Sequence, residues 1–433
     1  MSQERVDVIV VGAGPAGIAV GLTLARAGLD VVILERGGYP GSKNVMGGIL
    51  YRQPTEELVP GFWREAPLER AIIEQRYLVL TKDSAIGLSY RTQAFAEAPH
   101  NAFSVMRAEW DQWFARQAEA AGAFIVTGLT VEDVVWRDGV IAGVRAGEGG
   151  DELLADVVVL ADGANSLLAQ KAGLHREWEP TEQALVAKEL VRLSEEVINE
   201  RFNVPSGLGV AIEAFGESTA GLLGYGFIYT NRETVSVGTG ALLADLIESG
   251  LNVSDMLEHF KRHPAIAPLL DGGELIEYSA HLIPEGGWHA LPTLFSDGAL
   301  VVGDAAGFVN PISREGSNFA MISGKLAAQA IIEAKEAGDF SAARLSRYQE
   351  LLEESFILQD LYTIRNVTPF ARARPYLFRE FPEALAEALR DYLTVDGTPK
   401  RVKYRKIAGR LGSAIMPAGR VLRDIWAVAR LLR

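Results

Sequence analysis

The 433 residues are 48% apolar and 23% charged, with ample material for a large buried core. None is cysteine, which excludes disulfides, thiolate nucleophiles and cysteine-ligated clusters within these residues. The net charge of −14 argues against a general nucleic-acid binder.

The charge is unevenly spread. Lys400 to Arg433 holds ten Lys/Arg against the single acid Asp424, so this tail carries +9 and the rest of the chain −23. Such asymmetry predicts a tail with a partner of its own. No window reaches the ~18–20 uninterrupted apolar residues of a membrane-spanning helix. The opening MSQERVDVIVVGAG is not a signal peptide, because its apolar run, Val8 to Val11, is short, follows Asp7 and ends in a glycine turn. The expectation is a cytoplasmic protein.

In chain order, Val6 to Val11 reads as a buried strand, GAGPAG as a turn, and Ile18, Leu22, Leu24 and Ala25 as one helix face. Asp30 to Leu34 makes the next strand, ending at Glu35. Arg107 to Ala121 has helical spacing, with Trp110, Trp113, Phe114 and Ala118 on one side. Phe124 to Val126 is a strand, and the strands Val131 to Trp136 and Val140 to Val144 flank a turn at Arg137-Asp138-Gly139. Leu153 to Leu160 is an apolar run ending in ADG. From about Ala184 to Ile283 the pattern is strand-rich with one helix, Val253 to Arg262, and its alternation predicts a sheet exposed on one face. Ala299 to Val302 leads into GDAAGFVNPISREGSN, Phe319 to Ala334 is a long helix, and the chain is almost wholly helical from Ser341.

The fold class that results is α/β. A Rossmann-like dinucleotide-binding domain (1–83, 103–174 and 296–335) is expected to interleave with an antiparallel-sheet domain (84–102 and 175–295). A helical C-terminal region with a basic tail, 336–433, serves partner docking.

GAGPAG carries the first chemistry. Gly12 permits the tight strand-to-helix turn, Gly14 lets backbone approach a pyrophosphate, and Gly17 allows close helix–strand packing. The helix N-terminus offers free N–H groups and about half a positive charge to phosphates. Glu35 stands where an acid meets ribose hydroxyls, which speaks against a 2′-phosphate. NAD and FAD both fit this unit. Two further acid-bearing turns, ADG (Ala161 to Gly163) and GDAAG (Gly303 to Gly307), follow apolar strands and favour a flavin. Asp304 is placed for a ribitol hydroxyl, and the helix beginning near Gly316 aims its N-terminus at the flavin pyrimidine.

The order GAGPAG, Glu35-Arg36, ADG, GDAAGFVNP resembles the geranylgeranyl-reductase and aromatic-hydroxylase superfamily of FAD proteins. ERGGYPGSKNVMGGILY, GYGFIYTNRE, PEGGWHALPTLFSDGALVVGDAAGFVNP and REGSNFAMISG narrow the resemblance to the FixC branch, relatives of electron-transfer-flavoprotein:quinone oxidoreductase. The resemblance implies that Gly12, Gly14, Pro15, Ala16, Gly17, Glu35 and Arg36 fall on adenosine and pyrophosphate positions. It puts Ser42, Lys43, Asn44, Gly47 and Gly48 on a loop running toward the isoalloxazine. Arg107 begins a helix reaching back to the cofactor, and Val131 lies where backbone meets adenine. Ala161, Asp162, Gly163, Gly303, Asp304, Pro311, Gly316, Ser317 and Asn318 complete the FAD set. One departure is Arg314, where reductases of the superfamily tend to have glycine.

No catalytic side chain is expected, because the flavin carries the chemistry. No metal is expected either. His259 and His263, one helical turn apart, lack a third ligand and are read as a solvated helix face. What the resemblance implies for function is an electron-transfer subunit of a FixABCX-type complex. Electrons would pass from the alpha and beta subunits of an electron-transfer flavoprotein to quinone and to a ferredoxin-like iron–sulfur subunit, electron bifurcation depending on the flavoprotein pair. The basic tail, with Ile415, Val421, Leu422, Ile425, Trp426 and Ala429 at helical spacing, would dock that subunit or contact anionic lipid at the cytoplasmic membrane face. The alternative is an isoprenoid double-bond reductase, although YGFIYTN at Tyr225 to Asn231 lacks the Trp and Pro of those enzymes.

Overall fold

In the computed structural model, which describes residues 5–43, 47–147 and 149–415, the strand Arg5–Val11 leads into the helix Pro15–Arg26 and then the strand Val31–Glu35. These open a sheet in the order 295–296, 299–301, 151–160, 5–11, 31–35, 124–127, with the hairpin 131–137/140–146 paired to strand 151–160. The last five strands of that order run parallel. Parallel strands buried on both faces need continuous apolar runs, and VDVIVV, VVIL and DVVVL supply them. Val8, Val10, Ile33, Val157, Val159 and Leu300 are fully buried.

The register decides where the turns land. Val11 lies opposite both Leu34 and Leu160, and Leu160 lies opposite Val301. Four strands therefore finish at one level, and GAGPAG, Glu35-Arg36, ADG and GDAAG all leave the same carboxyl edge. That edge is where open α/β sheets take ligands.

The chain divides into two compact units, one of residues 1–71, 97–183 and 282–362, the other of 72–96, 184–281 and 363–433. The first holds the parallel sheet, the helix Arg107–Ala121 and the long helix Ser317–Ala337. It also holds an antiparallel pair, Gly47–Tyr51 with Ala102–Met106. Gly47 and Gly48 are thus strand residues opposite Met106 and Val105 rather than loop residues, a correction to the sequence expectation. Alternation in GGILY is masked because its first two residues have no side chain.

In the second unit the strand order is 274–284, 183–192, 234–242, 224–230, 208–216, 71–80, with 85–91 paired to 71–80. Its core gathers Ile73, Ile198, Phe202, Ile212, Ile228, Val237, Leu257 and Phe260. The expected half-exposed sheet is not observed. Neighbours Lys188 and Glu189 project to opposite faces, yet both are buried. Each is paired, Lys188 with Glu277 at 3.3 Å and Glu189 with Lys261 at 2.5 Å. Helices 195–202 and 243–249 join the expected helix 253–262. Ser194 caps the first of them by accepting from Val197 N–H, and Asn203 ends it in a left-handed conformation.

At the C-terminal end, helices Glu380–Leu393 and Lys400–Ile415 are tied by Arg410 to Asp391 (2.5 Å) and to Glu387 (2.8 Å). The apolar pattern placed on residues 416–433 lies outside the described residues. Among the described residues no helix is long and apolar enough to cross a membrane.

Candidate functional site

The first turn shows three glycines with three different reasons. Gly12 has φ +107°, and a Cβ there would lie 2.3 Å from the Ala161 carbonyl oxygen. It bridges two strands, since its N–H donates to Leu34 O (2.8 Å) while Ala161 N–H donates to Val11 O (2.9 Å). A Cβ on Gly17 would lie 1.9 Å from Gly12 O. Gly14 is neither left-handed nor crowded; nothing lies within 4 Å of its would-be Cβ. Its missing side chain leaves a cradle at the start of helix 15–26, where Pro15 takes the first position, no side chain caps the end and no acid sits in the first turn. Unpaired N–H groups and the helix dipole make that cradle a place for an anion.

Glu35 closes the next strand. Its Oε2 accepts from Ala13 N–H at 2.9 Å and its Oε1 from Gly37 N–H at 2.6 Å. Each oxygen retains a second lone pair for a ligand hydroxyl. Leu129 N–H donates to Glu35 O (3.0 Å), which brings Val131, two residues on, alongside. The loop after Glu35 folds onto helix 107–121. Gly41, at φ +88°, lies so close that a Cβ would sit 2.8 Å from Arg107 O. The Arg107 guanidinium forms a two-point ion pair with Asp111, Nε–Oδ1 2.6 Å and Nη2–Oδ2 2.7 Å. Both side chains are buried. Burial pushes the Asp111 carboxyl up, Arg107 pulls it back, and nearby Glu35 adds a smaller upward push.

The second and third turns close the other side. Asp162 Oδ2 accepts from Leu168 N–H at 2.9 Å. Burial lifts this carboxyl to about 6, against the opposing pull of the Leu168 bond and of exposed Arg36. Gly163 is left-handed at φ +79°. Gly303, at φ +62°, would place a Cβ 2.8 Å from the Ala16 methyl, and its N–H donates to Ser323 Oγ at 3.0 Å. Half-buried Asp304 lies in the short 3₁₀ turn 303–306 that follows. Asn310 then ties a compact turn through Pro311. Its Oδ1 accepts from Ile312 and Ser313 N–H (3.0 and 3.1 Å), and its backbone pairs both ways with Glu315. Helix 317–337 starts after Gly316, again with no side-chain cap.

Among the described residues, buried polar atoms of this region without a partner include Ser42 Oγ, Asp162 Oδ1, Ser313 Oγ, Ser317 Oγ and Asn318 Oδ1. Asn318 Nδ2 donates to Glu315 Oε2 at 3.1 Å, which leaves its Oδ1 as an acceptor awaiting a donor. An uncapped helix end, a free hydroxyl and a free acceptor suit a ligand edge that offers acceptors and an N–H together, as a flavin pyrimidine does. The open cradle at Gly14 suits a diphosphate.

Most of the expected site residues therefore gather at one sheet edge. Lys43 is exposed, and Asn44 lies outside the described residues. Sequence reasoning missed Asp111, although it stands four residues from Arg107, and Asn310, whose Asn-Pro pair is a turn signal. The two histidines are not one solvated pair. His259 meets Glu217 at 2.8 Å, whereas buried His263 meets Thr81 O at 2.8 Å. No cluster of three metal-ligating side chains occurs among the described residues.

Comparison with known proteins decides the family. Residues 367–433 match the model of the ETF-QO/FixC family C-terminal domain, and residues 7–200 match that of FAD dependent oxidoreductases. The chain is 44% identical over 427 residues to Protein FixC of Bradyrhizobium diazoefficiens, covering 96% of this chain and 98% of that one. The chain belongs to the FixC family. It is an FAD-dependent oxidoreductase, as the matched models and the fit of the site agree. It is also 40% identical to the probable electron transfer flavoprotein-quinone oxidoreductase YdiS of Escherichia coli, over 94% of this chain and 95% of that one. Among solved structures, a geranylgeranyl bacteriochlorophyll reductase-like protein of Thermoplasma acidophilum matches with TM-score 0.73 at 19% identity, covering 95% of this chain and 98% of that one. The brominase Bmp2 matches with TM-score 0.66 at 17%, covering 99% and 100%. These two share the fold.

Proposed function

We propose that the protein takes electrons from an electron-transfer flavoprotein, alpha and beta subunits together, and passes them through its FAD to quinone and to a ferredoxin-like iron–sulfur subunit. The observation that carries this reading is near-full-length identity to FixC proteins joined to a match with the family's own C-terminal domain. With no cysteine in its 433 residues the sequence offers no thiolate for a cluster, so the reading assigns the iron–sulfur centre to a separate polypeptide. The basic segment from Lys400 is its docking element, and a peripheral position at the cytoplasmic membrane face brings quinone within reach.

In this reading the adenosine diphosphate lies over Gly12 to Gly17, with Glu35 on the ribose and Val131 beside the adenine. Asp162, Gly163, Gly303 and Asp304 hold the ribityl side. Pro311 and Gly316 to Asn318 hold the pyrimidine, and Gly47-Gly48 and Arg107 complete the enclosure. The antiparallel-sheet domain, 84–102 and 175–295, would supply the quinone side. Bound FAD supplies one- and two-electron transfer; the protein orients it and sets its electrostatics. The isoprenoid-reductase alternative rests on shared fold alone, which does not carry chemistry.

The test is anaerobic mixing of the purified flavin-bound protein with a reduced electron-transfer flavoprotein and a short-chain quinone. Oxidation of the donor coupled to quinone reduction is expected. Reduction of a geranylgeranyl lipid with no electron exchange with the flavoprotein overturns the reading.

A further inference from the structure

We propose that Arg314 is a positioning cation for the reduced cofactor, kept at a backbone position better suited to glycine because its charge offsets the acids at the entrance to helix 317–337. The inference rests on FAD as the cofactor and not on the identity of the electron donor or acceptor.

Arg314 has φ +58°, one of five non-glycine residues in the left-handed region among the described residues. A Cβ makes that region costly, whereas glycine occupies it freely. Gly303 and Gly307, in the same stretch, do so at +62° and +71°. Asn310 supplies hydrogen bonds that shape the turn. Asn310 Oδ1 holds Ile312 and Ser313, and Asn310 N–H to Glu315 O (2.9 Å) with Glu315 N–H to Asn310 O (3.2 Å) closes it. Backbone geometry alone would select glycine here. Strain that the surroundings over-determine points to a use for the side chain.

The use follows from what stands three residues on. Ser317 Oγ and Asn318 Oδ1 are buried without partners at an uncapped helix start. Such an end favours negative charge, and a flavin gains electron density on its pyrimidine when reduced. The chain's own charges oppose this. The Glu315 carboxylate is hydrogen-bonded to Asn318 Nδ2 at 3.1 Å, immediately beside the unpaired atoms. Asp360 lies near enough that Glu315, after burial, pushes its carboxyl up. Glu315 thus puts an acid beside a place suited to an anion, Asp360 stands near Glu315, and half-buried Arg314 is the cation adjacent in the chain to Glu315. Placing a positive charge there restores the preference for the reduced, more negative cofactor.

The experiment compares the flavin-bound protein with its Arg314→Gly, Arg314→Gln and Arg314→Lys variants. It reads the flavin midpoint potential by spectroelectrochemical titration and the melting temperature of the flavin-free protein. Arg314→Gly is expected to melt higher, because strain is relieved. Its potential is expected to fall by about 30 mV, the two-electron equivalent of about a tenfold loss in preference for the reduced form. Arg314→Gln keeps the strain and loses the charge, so its potential falls without a gain in melting temperature. Arg314→Lys restores the potential to within about 10 mV, about a twofold change in that preference. Unchanged potentials in both the Gly and Gln variants overturn the proposal, whatever the melting temperatures do. A loss of association with the electron donor at unchanged potential also overturns it, by assigning Arg314 to a partner.

Discussion

Around Glu35 and Arg107 the charged atoms are met by the protein itself, through Ala13 and Gly37 N–H groups in one case and Asp111 in the other. Around Asp162, Ser317 and Asn318, buried polar atoms are left without partners. Both regions border the same sheet edge and, in the proposed reading, the same cofactor. In the first the charged groups are satisfied before the ligand arrives. The other carries desolvated groups whose cost in folding is recovered on binding. Substitutions in the first should therefore damage the flavin-free protein, and substitutions in the second should spare or stabilise it while weakening the flavin.

The largest effect is expected at the buried ion pair. Asp111→Ala leaves the Arg107 guanidinium buried and unpaired, and should lower the stability of the flavin-free protein by about 3–5 kcal/mol in urea unfolding. A loss under about 1 kcal/mol would mean that the scaffold stands without that pair.

Asp162→Asn should act in the opposite direction. The Asp162 carboxyl is raised in the folded protein to about 6 from 3.8, so its burden is absent well below pH 4, builds as pH rises toward 6 and is constant above. Removing the charge should stabilise the flavin-free protein at pH 7 by up to about 3 kcal/mol, with the gain nearly gone at pH 4. Denaturation at the two pH values checks this, and a gain independent of pH would remove the ionised carboxylate as its source.

Two glycines five residues or fewer apart sharpen the contrast. Gly17→Ala drives a methyl into Gly12 O and should cost the flavin-free protein about 1–3 kcal/mol. Gly14→Ala meets only open space, so stability should stay within about 0.5 kcal/mol while the FAD dissociation constant rises about tenfold. Equal behaviour of the two would erase the distinction between scaffold and cradle. The smallest effect is expected at Ser317→Ala, which removes an unpaired buried hydroxyl. Flavin-free stability should hold or rise by about 1 kcal/mol, and flavin affinity should fall, as measured by fluorescence titration.

How much of this was legible depended on whether a residue's local chemistry or its distant surroundings set its role. The four turns at one sheet edge could be read because each followed an apolar run and each required glycine or an acid. Gly12 and Gly17 announce close approach by having no side chain. Arg314 does not itself spell a positive φ, as glycine would; its place was flagged only by the resemblance, whose reductases tend to have glycine there, and the turn around it is held by Asn310. The burial of Lys188 and Glu189 on opposite faces is likewise invisible locally. It depends on Glu277 and Lys261, more than seventy residues away in sequence. Helix 195–202 was readable from its Ser194 start and Asn203 stop, but the strand pattern on either side obscured it.

Ala16 packs between two glycines. Its methyl faces Gly303, and its carbonyl oxygen would lie 2.3 Å from a Cβ on Gly324. The helices that begin at the diphosphate cradle and at the unpaired Ser317 are thus bolted together through one small residue with no room on either side. Their two starting ends cannot slide apart or together. In the proposed reading the two ends make a caliper of set span, matched to a dinucleotide that reaches both jaws, and a flavin mononucleotide, lacking the adenylate, would leave one jaw empty.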